Sequence, residues 1–332
     1  MRNAGAIDIA GGRPLELCES VCLRRCDYIS VNAVRSTFSF TEELATCDLC
    51  GGASLAAVSP EANVIECNGC GYRFVSPRPS QAEIASSYSE PDFYDGWIEA
   101  EKGRRRLWSK RLALLKRAGS DVRLLDIGAG IGTFLALARD QFGWAATGTE
   151  ISTSAVSIAH EQYNLELLVG QMEEIDLPRG AFDVITLWHV LEHVPSPSRT
   201  LNLCHDLLRP DGLLAIAVPN DDDARAWLVR TKAWLRRKRP APRYEPLEPH
   251  TEVHLSQFKS RVLSNALRSR GFRVEVVTVD DHYPCPDKRS ETLVRAYRLI
   301  NSATGLNFAQ ATFVLARKYA KSSVHRPSFP TT

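Results

Sequence analysis

Short apolar strands alternate with helices along residues 122–318, and this alternation restricts the fold more than any other feature. The predicted strands are 122–127, 144–151, 165–170, 182–188, 213–219, 272–279 and 311–318. Most of them are separated by one amphipathic helix, and parallel strands need such crossover connections. Two of these helices are predicted for 197–212 and 256–271, and Ser152 is expected to cap the helix after the second strand. The pattern therefore predicts an α/β fold with a mostly parallel sheet that helices cover on both faces.

The remaining sequence divides around this α/β domain, which we place at 119–320. An irregular or disordered extension is predicted for 1–46, and its cysteines, Cys18, Cys22 and Cys26, are interpreted as incidental thiols. A small metal-binding unit is predicted for 47–78, followed by a connector with an N-terminal helix at 79–118. Residues 220–250 form a predicted insertion, and 321–332 a disordered tail.

Composition excludes some classes of protein and favours none. The chain has 332 residues and a formal net charge of +2, so its overall charge does not favour nucleic-acid binding. The sequence contains no run of 18 apolar residues, so no membrane span is predicted. The first 20 residues lack the basic head and apolar stretch of a signal peptide, and we therefore expect a cytoplasmic protein.

A glycine-rich loop follows the first predicted strand, in the sequence LLDIGAGIGTF at 124–134. Ligands of open parallel sheets bind at the carboxyl ends of the strands, where this loop lies. A dinucleotide fingerprint would need glycine at 133, where Thr133 stands, and a triphosphate loop would need a lysine that is absent here. The remaining pattern is D-x-G-x-G-x-G, which begins at Asp126.

This pattern resembles the first motif of the class I methyltransferases that use S-adenosylmethionine. FDVITLWHVLEHVPSP (182–197) and LLRPDGLLAIAVPN (207–220) resemble later segments of the same family. The resemblance is strong over 120–220 and looser over 250–318. It implies a Rossmann-like sheet with an antiparallel last strand, and S-adenosylmethionine as the cofactor.

The cofactor-binding residues that follow from this resemblance are Asp126, Gly128, Gly130, Gly132, Glu150, Gln171, Met172 and Trp188. An acid such as Asp126 suits the cationic amino-acid end of the cofactor, directly or through water. Glu150, at the end of the second strand, can accept hydrogen bonds from the ribose hydroxyls. Gln171 and Met172 are expected beside the adenine, although many family members have Asp where Gln171 stands.

Four of the nine cysteines form the pattern C-x2-C-x16-C-x2-C: Cys47, Cys50, Cys67 and Cys70. Two such pairs predict a zinc ribbon, and four thiolates leave no open position, so the Zn²⁺ is expected to be structural. Gly51 and Gly71 are expected to free amides for hydrogen bonds to the sulfurs. The unit resembles the ribbon of methyltransferases from sugar, polysaccharide and secondary-metabolite pathways, and its role is left open between substrate contact, partner contact and stability.

The predicted catalytic residues are His189 and His193, which follow the fourth strand. Imidazole titrates near neutrality and suits a general base. The resemblance places His189 near the cofactor and His193 deeper toward the acceptor, so His193 is the preferred base. A packing role for both remains open, as does a second metal held by Glu192 and His193. His254 is expected either to border the acceptor pocket or to cap a helix.

The insertion contains a basic amphipathic helix with two tryptophans, and residues 224–243 include eight Lys or Arg and no acid. Three interpretations remain open. The helix lies on a membrane through residues 224–239, or it grips a phosphate of the acceptor, or it is a lid that packs its tryptophans inward.

These observations together predict a methyltransferase that acts at O or C of a small-molecule, sugar, glycan or lipid-linked acceptor. Two alternatives remain. Zinc ribbons also occur on RNA methyltransferases, but the motif of base-amine methylation is absent after the fourth strand. The other alternative is a non-catalytic interaction protein that retains a cofactor site. Oligomeric state and the identity of the acceptor are not predicted.

Overall fold

The computed structural model describes residues 38–238, 242–249, 251–280 and 288–319. The helices are α1 (Gln81–Tyr88), α2 (Asp95–Glu99), α3 (Glu101–Leu115), α4 (Thr133–Phe142), α5 (Thr153–Tyr163), α6 (Pro197–Leu207), α7 (Asp223–Leu235), α8 (Ser260–Ser269) and α9 (Lys288–Thr304). The predictions for 1–37 and 320–332, including the three incidental thiols and the tail, lie outside the described residues.

Thirteen strands are described, and they form three sheets. They are β1 (Phe40–Glu42), β2 (Leu55–Ser59), β3 (Val64–Cys67), β4 (Arg73–Val75), β5 (Arg78–Pro79), β6 (Arg123–Ile127), β7 (Ala145–Glu150), β8 (Leu168–Val169), β9 (Phe182–Trp188), β10 (Leu208–Pro219), β11 (Ser256–Gln257), β12 (Phe272–Val279) and β13 (Ala311–Lys318). The predicted irregular extension, 1–46, therefore contains a strand in its described part, since β1 pairs with β5.

The main sheet has seven strands in the order β12-β13-β10-β9-β6-β7-β8. The pairs from β10 to β8 are parallel, whereas β13 is antiparallel to both β10 and β12. The predicted fold class, a Rossmann-like sheet with an antiparallel last strand, is confirmed.

Both faces of this sheet are buried, as its continuous apolar strands predict. Leu124 and Leu125 are neighbours on β6, point to opposite faces and are both fully buried. Leu125 packs into the core cluster that also contains residues of α6 and α8, and Leu124 into the cluster with α3 and α4. The central strand is thus held from both sides, and its carboxyl end presents the glycine loop at a fixed position.

Two predicted helix boundaries differ from the structure. The helix predicted to begin at 256 begins at Ser260, because Ser256–Gln257 pairs with β4 as strand β11. The helix predicted to extend to 212 ends at Leu207, where β10 begins. The Ser152 cap is confirmed, since its hydroxyl accepts a hydrogen bond from the Ala155 amide at 3.3 Å and starts α5.

Candidate active site

The glycine loop has the left-handed backbone that its sequence requires. Gly128 and Gly130 have φ of 68° and 55°, a region that other residues rarely adopt. A Cβ on Gly128 would lie 2.6 Å from a methyl carbon of Val190, and one on Gly130 would lie 2.8 Å from the Trp97 ring. Gly132 also has a positive φ and is the N-cap of α4. The glycines therefore allow the loop to pack closely against Val190 and Trp97 at the cavity wall.

A cavity of 510 Å³ lies at the carboxyl ends of β6, β7, β9 and β10. This volume is within the range of about 300–1,000 Å³ that is usual for small-molecule sites. Its lining includes most of the predicted site residues: Gly128, Gly130, Glu150, Gln171, Met172, Trp188, His189 and His193. Residues up to 65 positions apart in the sequence, from 128 to 193, therefore line the same cavity.

Asp126 and Gly132 are the predicted cofactor residues that do not line the cavity. The Asp126 carboxylate is buried one residue before the cavity-lining Ile127, and it accepts a hydrogen bond from the Thr186 hydroxyl at 2.6 Å. Burial, with a smaller contribution from the charge of Glu150, raises the pKa of Asp126 to about 7. The role of Asp126 in cofactor binding stays a prediction.

Glu150 lies on the cavity wall with a carboxylate that is already hydrogen-bonded. Its oxygens accept from the backbone amides of Gly130 at 2.7 Å, Ile151 at 2.8 Å and Ser152 at 3.0 Å. Burial raises the pKa of Glu150, and these three amides oppose the increase. The side chain therefore connects the end of β7 to the glycine loop.

Trp188, the last residue of β9, faces the cavity from an aromatic cluster. Its ring stacks on Phe313 at a centroid distance of 6.0 Å and meets Phe134 edge-on at 5.4 Å. Its Nε1 is buried and has no hydrogen-bond partner in the described structure. A buried donor without a partner fits a site that receives a polar ligand group.

His189 has φ of 58°, unusual for a residue other than glycine. Its Nδ1 lies 3.4 Å from Glu192 and its Nε2 lies 3.5 Å from Asp280. Burial favours the neutral ring, but these two carboxylates outweigh it and raise the pKa of His189 to about 9. His189 is therefore cationic at neutral pH and does not suit the role of base.

His193 has the opposite electrostatic environment. Its Nδ1 lies 2.7 Å from the carbonyl oxygen of Val253. A carbonyl can only accept, so Nδ1 carries the proton and Nε2 keeps its lone pair. Burial lowers the pKa of His193 below its ordinary value, and Glu192 opposes the decrease. At neutral pH the ring is neutral and able to take a proton.

Glu192 and His254 lie beside His193. Ligand atoms of these three side chains lie within 4.8 Å of one another, a set that could hold a metal ion. Glu192 is 1% exposed, and neither of its oxygens accepts a hydrogen bond of good geometry from the described residues. A third candidate ligand beside Glu192 and His193 is thus His254, 62 residues after Glu192 in the sequence. A metal and a proton would use the same lone pair of His193.

Several cavity residues were not predicted, because they belong to segments read only as a connector or a strand. Tyr88, Trp97, Arg104, Trp108 and Arg111 reach the cavity from α1, α2 and α3. Arg111 forms a buried ion pair with Asp280, which follows β12. The sequence signal that could have indicated a site on these helices is the basic stretch GRRRLW, which ends at Trp108, together with Trp97 shortly before it.

The predicted cysteine cluster is confirmed. The Sγ atoms of Cys47 and Cys70 lie 3.5 Å apart and those of Cys50 and Cys67 lie 3.6 Å apart, with all four within 4.8 Å. Sulfurs that share a tetrahedral zinc lie about 3.8 Å apart, so the cluster fits Zn²⁺. Backbone amides of Cys50, Gly69 and Tyr72 form the predicted hydrogen bonds to cysteine sulfurs. The Gly51 and Gly71 amides themselves donate to the carbonyls of Cys47 and Cys67 at 2.8 Å.

The ribbon is joined to the segments that carry the histidines. Strand β4 pairs with β11, and the Tyr72 and Ser256 hydroxyls are 2.5 Å apart. The Ser256 amide donates to the Glu192 carbonyl at 3.0 Å. Asp48 lies between two of the cysteines and accepts from the Ser198 amide at 2.7 Å, at the start of α6. Metal-dependent folding of the ribbon would therefore support one wall of the cavity.

Comparison with known proteins identifies relatives of this fold. A family model described as "Methyltransferase domain" matches residues 100–277. A ubiquinone biosynthesis O-methyltransferase of Pseudomonas aeruginosa is 34% identical over 115 residues, which cover 32% of this chain and 48% of that protein. The corresponding protein of Coxiella burnetii is 32% identical over 102 residues, which cover 29% of this chain and 43% of that protein. The chain therefore spans less than half the length of these relatives.

Two solved structures are also similar to this chain, at low sequence identity. The magnesium protoporphyrin IX methyltransferase of Synechocystis, solved with bound SAH, has a TM-score of 0.49 and 14% identity, and the match covers 72% of this chain and all of that one (100%). A SAM-dependent methyltransferase from Archaeoglobus fulgidus has a TM-score of 0.45 and 20% identity, with 67% of this chain and 99% of that one covered.

Proposed function

The chain belongs to the methyltransferase-domain family, and from this premise we propose that it transfers a methyl group from S-adenosylmethionine to a small-molecule acceptor. One observation carries the proposal. A single 510 Å³ cavity is lined both by the glycine loop with Glu150 and by a neutral histidine, His193. The residues that we assign to the cofactor and the histidine that we assign to proton removal therefore line the same cavity.

The described residues fit the cofactor. The Gly128 and Gly130 backbone lines the cavity, and Glu150 offers carboxylate oxygens for ribose hydroxyls. Gln171 and Met172 line the wall where we place the adenine. When bound, S-adenosylmethionine supplies an activated methyl group on a sulfonium. The protein's contribution is then to align the acceptor with that carbon and to exclude water.

We assign proton removal from the acceptor to His193. Its Nδ1–H is fixed by the Val253 carbonyl, and Nε2 is free of a proton at neutral pH. The Tyr88 hydroxyl lies 3.0 Å from Nδ1 and accepts from the Val253 amide at 2.8 Å, so it supports the same ring orientation. His189 is cationic and serves to hold Glu192 and Asp280 in place. Transfer to an oxygen acceptor needs such a base unless that oxygen ionises easily.

The acceptor that we propose is borne on a lipid or presented at a membrane surface. Helix α7 exposes Trp227 by 65% and Trp234 by 75%, so the interpretation as a lid with inward tryptophans is wrong. Basic residues lie on α7 or just after it: Arg225, Arg230, Lys232, Arg236, Arg237 and Lys238. Exposed tryptophan among cations is typical of helices that lie on anionic bilayers. Pro219, just before α7, lines the cavity, so the helix lies near its entrance.

None of the described helices combines the length and hydrophobicity that a bilayer-spanning helix needs. The membrane contact that we propose is therefore peripheral. The two ends of the insertion are anchored by Asp221, which accepts from Arg243 and from Tyr244 at 2.7 Å each. The helix between these anchors remains exposed and in position to meet a surface.

Two measurements test the proposal. Isothermal titration calorimetry with S-adenosylhomocysteine should show binding to the zinc-loaded protein, and absence of binding would reject the function. Cell extract should then be incubated with radioactive S-adenosylmethionine and separated into lipid, polysaccharide, RNA and small-molecule fractions. We expect label in the lipid or small-molecule fraction. Label in RNA alone would assign the alternative RNA substrate instead.

A further inference from the structure

Asp48, in the first cysteine pair of the ribbon, contacts the start of helix α6. Its Oδ1 accepts from the Ser196 hydroxyl at 2.6 Å and from the Ser198 hydroxyl at 3.0 Å, and its Oδ2 accepts from the Ser198 amide at 2.7 Å. Ser196 is the N-cap of α6, where its own hydroxyl accepts from the Arg199 amide at 3.3 Å. A carboxylate is favourable at this place, because the first amides of a helix lack helical partners and carry partial positive charge.

A second side chain joins the same two parts of the molecule. Arg270, the residue after α8, donates to the Leu49 carbonyl at 3.3 Å and to the Ser198 carbonyl at 3.4 Å. Asp48 and Leu49 are the two residues between the cysteines of the first pair. The backbone around the metal cluster and the start of α6 are therefore linked through one acidic and one basic side chain.

The start of α6 lies close in sequence to the histidine that we assign as the base. Val194 and Pro195 separate His193 from Ser196, and both line the cavity together with His193. Pro195 and Pro197, on either side of Ser196, have fixed φ angles. So short a connection has few dihedral angles that could absorb a shift of Ser196, and such a shift therefore also moves the His193 ring.

The position of this ring has to be narrow, because its tautomer depends on a group from another segment. The Nδ1 atom of His193 lies 2.7 Å from the carbonyl oxygen of Val253, 60 residues further along the chain. A shift of the first segment against the second would weaken this hydrogen bond and misalign Nε2. In enzymes, misplacement by about 1 Å can lower the rate by about 10²-fold.

We infer that Asp48 is a positioning residue for methyl transfer, which fixes the start of α6 and through it the place of His193 in the cavity. The inference rests on the proposed function, because it takes His193 as the base. Asp48 is not among the described residues that line the cavity, so it acts through the segment 193–198 and not on the cofactor. The ribbon then serves the reaction by holding one catalytic segment, a role distinct from substrate contact and from overall stability.

The test compares Asp48→Ala with the matched control Asn68→Ala. Asn68 follows the first cysteine of the second pair, as Asp48 follows that of the first pair, but its side chain donates to Ser54 within the ribbon at 3.0 Å. Asp48→Ala should lower the rate of methyl transfer to the labelled extract fraction by about 10- to 100-fold. Its S-adenosylhomocysteine affinity and its content of one zinc per chain should be those of wild type. Asn68→Ala should change none of the three.

Asp48→Asn is the conservative variant. Its amide oxygen can accept from the Ser198 amide and its NH₂ can donate to a serine hydroxyl, so its rate should lie between those of Asp48→Ala and wild type. Hydrogen exchange followed by mass spectrometry needs no acceptor. Amides of the segment 193–198 should exchange about 10-fold faster in Asp48→Ala than in wild type, and at the wild-type rate in Asn68→Ala.

A wild-type rate of methyl transfer or of hydrogen exchange in Asp48→Ala would overturn the inference. Loss of zinc, or a loss of S-adenosylhomocysteine affinity as large as the loss of rate, would also overturn it, because Asp48 would then act on folding in general. If Asp48→Ala does not fold, Asp48→Asn takes its place in the same measurements. Wild type that neither binds S-adenosylhomocysteine nor transfers a methyl group would instead refute the proposed function, and hydrogen exchange would still decide whether Asp48 fixes this segment.

Discussion

The Glu150 carboxylate accepts a hydrogen bond from the Gly130 amide at 2.7 Å, which fixes the glycine loop after β6 to the end of β7. Its other oxygen is held by the Ile151 and Ser152 amides. One side chain therefore shapes the loop and lines the cavity at once. In the proposed cofactor complex, ribose hydroxyls would donate to the same carboxylate that these backbone amides hold in place. The Glu150 side chain would therefore need little reorganisation when the cofactor binds.

Glu150→Gln should weaken S-adenosylhomocysteine binding by roughly 10- to 100-fold. An amide group keeps one acceptor oxygen, but its NH₂ would face either the Gly130 amide or the amides after β7, and donors repel donors. Calorimetry measures the change. The control is Glu166→Gln, because the Glu166 side chain is 87% exposed and lies outside the cavity. Unchanged affinity in Glu150→Gln would remove Glu150 from the cofactor site.

The parts of the site that lie within single strand-loop units could be predicted from sequence. Gly128 and Glu150 each follow an apolar strand, and the carboxyl ends of parallel strands meet at one edge of a sheet. Arg104 and Asp280 could not be predicted, because each depends on a contact between segments far apart in the chain. The same holds for Ser256–Gln257, where pairing with β4 prevails over the helical pattern.

The two histidines show the same limit in their chemistry. Their spacing predicts that both face the crevice, and both line the cavity. Their chemistry depends on surroundings that the local sequence does not contain. Asp280 helps to raise the pKa of His189, whereas burial lowers the pKa of His193 and the Val253 carbonyl fixes its tautomer. The exposure of Trp227 and Trp234 was also undetermined, since a helical apolar face does not reveal whether protein or solvent meets it.

Asp126→Asn should change how stability depends on pH. The folded-state pKa of Asp126 is raised to about 7, so its contribution to stability is fully present below the unfolded pKa near 4 and is lost as the pH rises through about 7. Asparagine does not ionise. The variant should therefore gain stability relative to wild type between pH 5 and pH 8, on the order of 1–4 kcal/mol.

Urea unfolding at a series of pH values between 5 and 8 measures this difference. Asp140→Asn is the control, because Asp140 is exposed beside Arg139 and the pKa of its carboxyl is lowered by that arginine. Its difference from wild type should be constant over this interval. A constant difference for Asp126→Asn as well would show that Asp126 ionises in the folded protein at its ordinary pKa.

His193→Asn should lower the rate of methyl transfer by about 10²- to 10⁴-fold, the usual contribution of a general base. S-adenosylhomocysteine affinity should be unchanged, because the histidine serves the acceptor. In wild type, burial lowers the pKa of His193 below the ordinary value for histidine. The ring is neutral at any pH above this lowered pKa. The rate should therefore fall when the pH is decreased through the pKa of His193. The assay uses the fraction of cell extract that accepts label.

His160→Asn is the matched control, since His160 is 57% exposed and pairs only with Glu166. It should leave the rate and its pH profile unchanged. If His193→Asn keeps the wild-type rate at every pH, the acceptor needs no base and His193 has only a packing role.

Cys50→Ser should remove the structural zinc and destabilise the protein, because a ribbon of this size folds with its metal. Metal analysis should give one zinc per chain for wild type and none for the variant, and the apparent melting temperature should fall by roughly 5–15 °C. The rate of methyl transfer should decrease more than the affinity for S-adenosylhomocysteine, because β4 pairs with β11 near His254 and not with the glycine loop. Cys204→Ala changes a buried cysteine outside the cluster and should keep the metal. Full zinc content in Cys50→Ser would contradict the assignment.

The double variant Trp227→Ser, Trp234→Ser should abolish binding to anionic vesicles without unfolding the protein, because both side chains are mostly exposed. Wild type should sediment with vesicles of phosphatidylcholine and phosphatidylglycerol but not with vesicles of phosphatidylcholine alone, because the arginines and lysines on and after α7 attract anionic headgroups. Added salt should reduce the sedimented fraction, because it screens this attraction. Leu299→Ser is the control, because Leu299 is 72% exposed and lies on α9, not on α7. Equal sedimentation of the double variant and wild type would show that α7 is not the membrane contact.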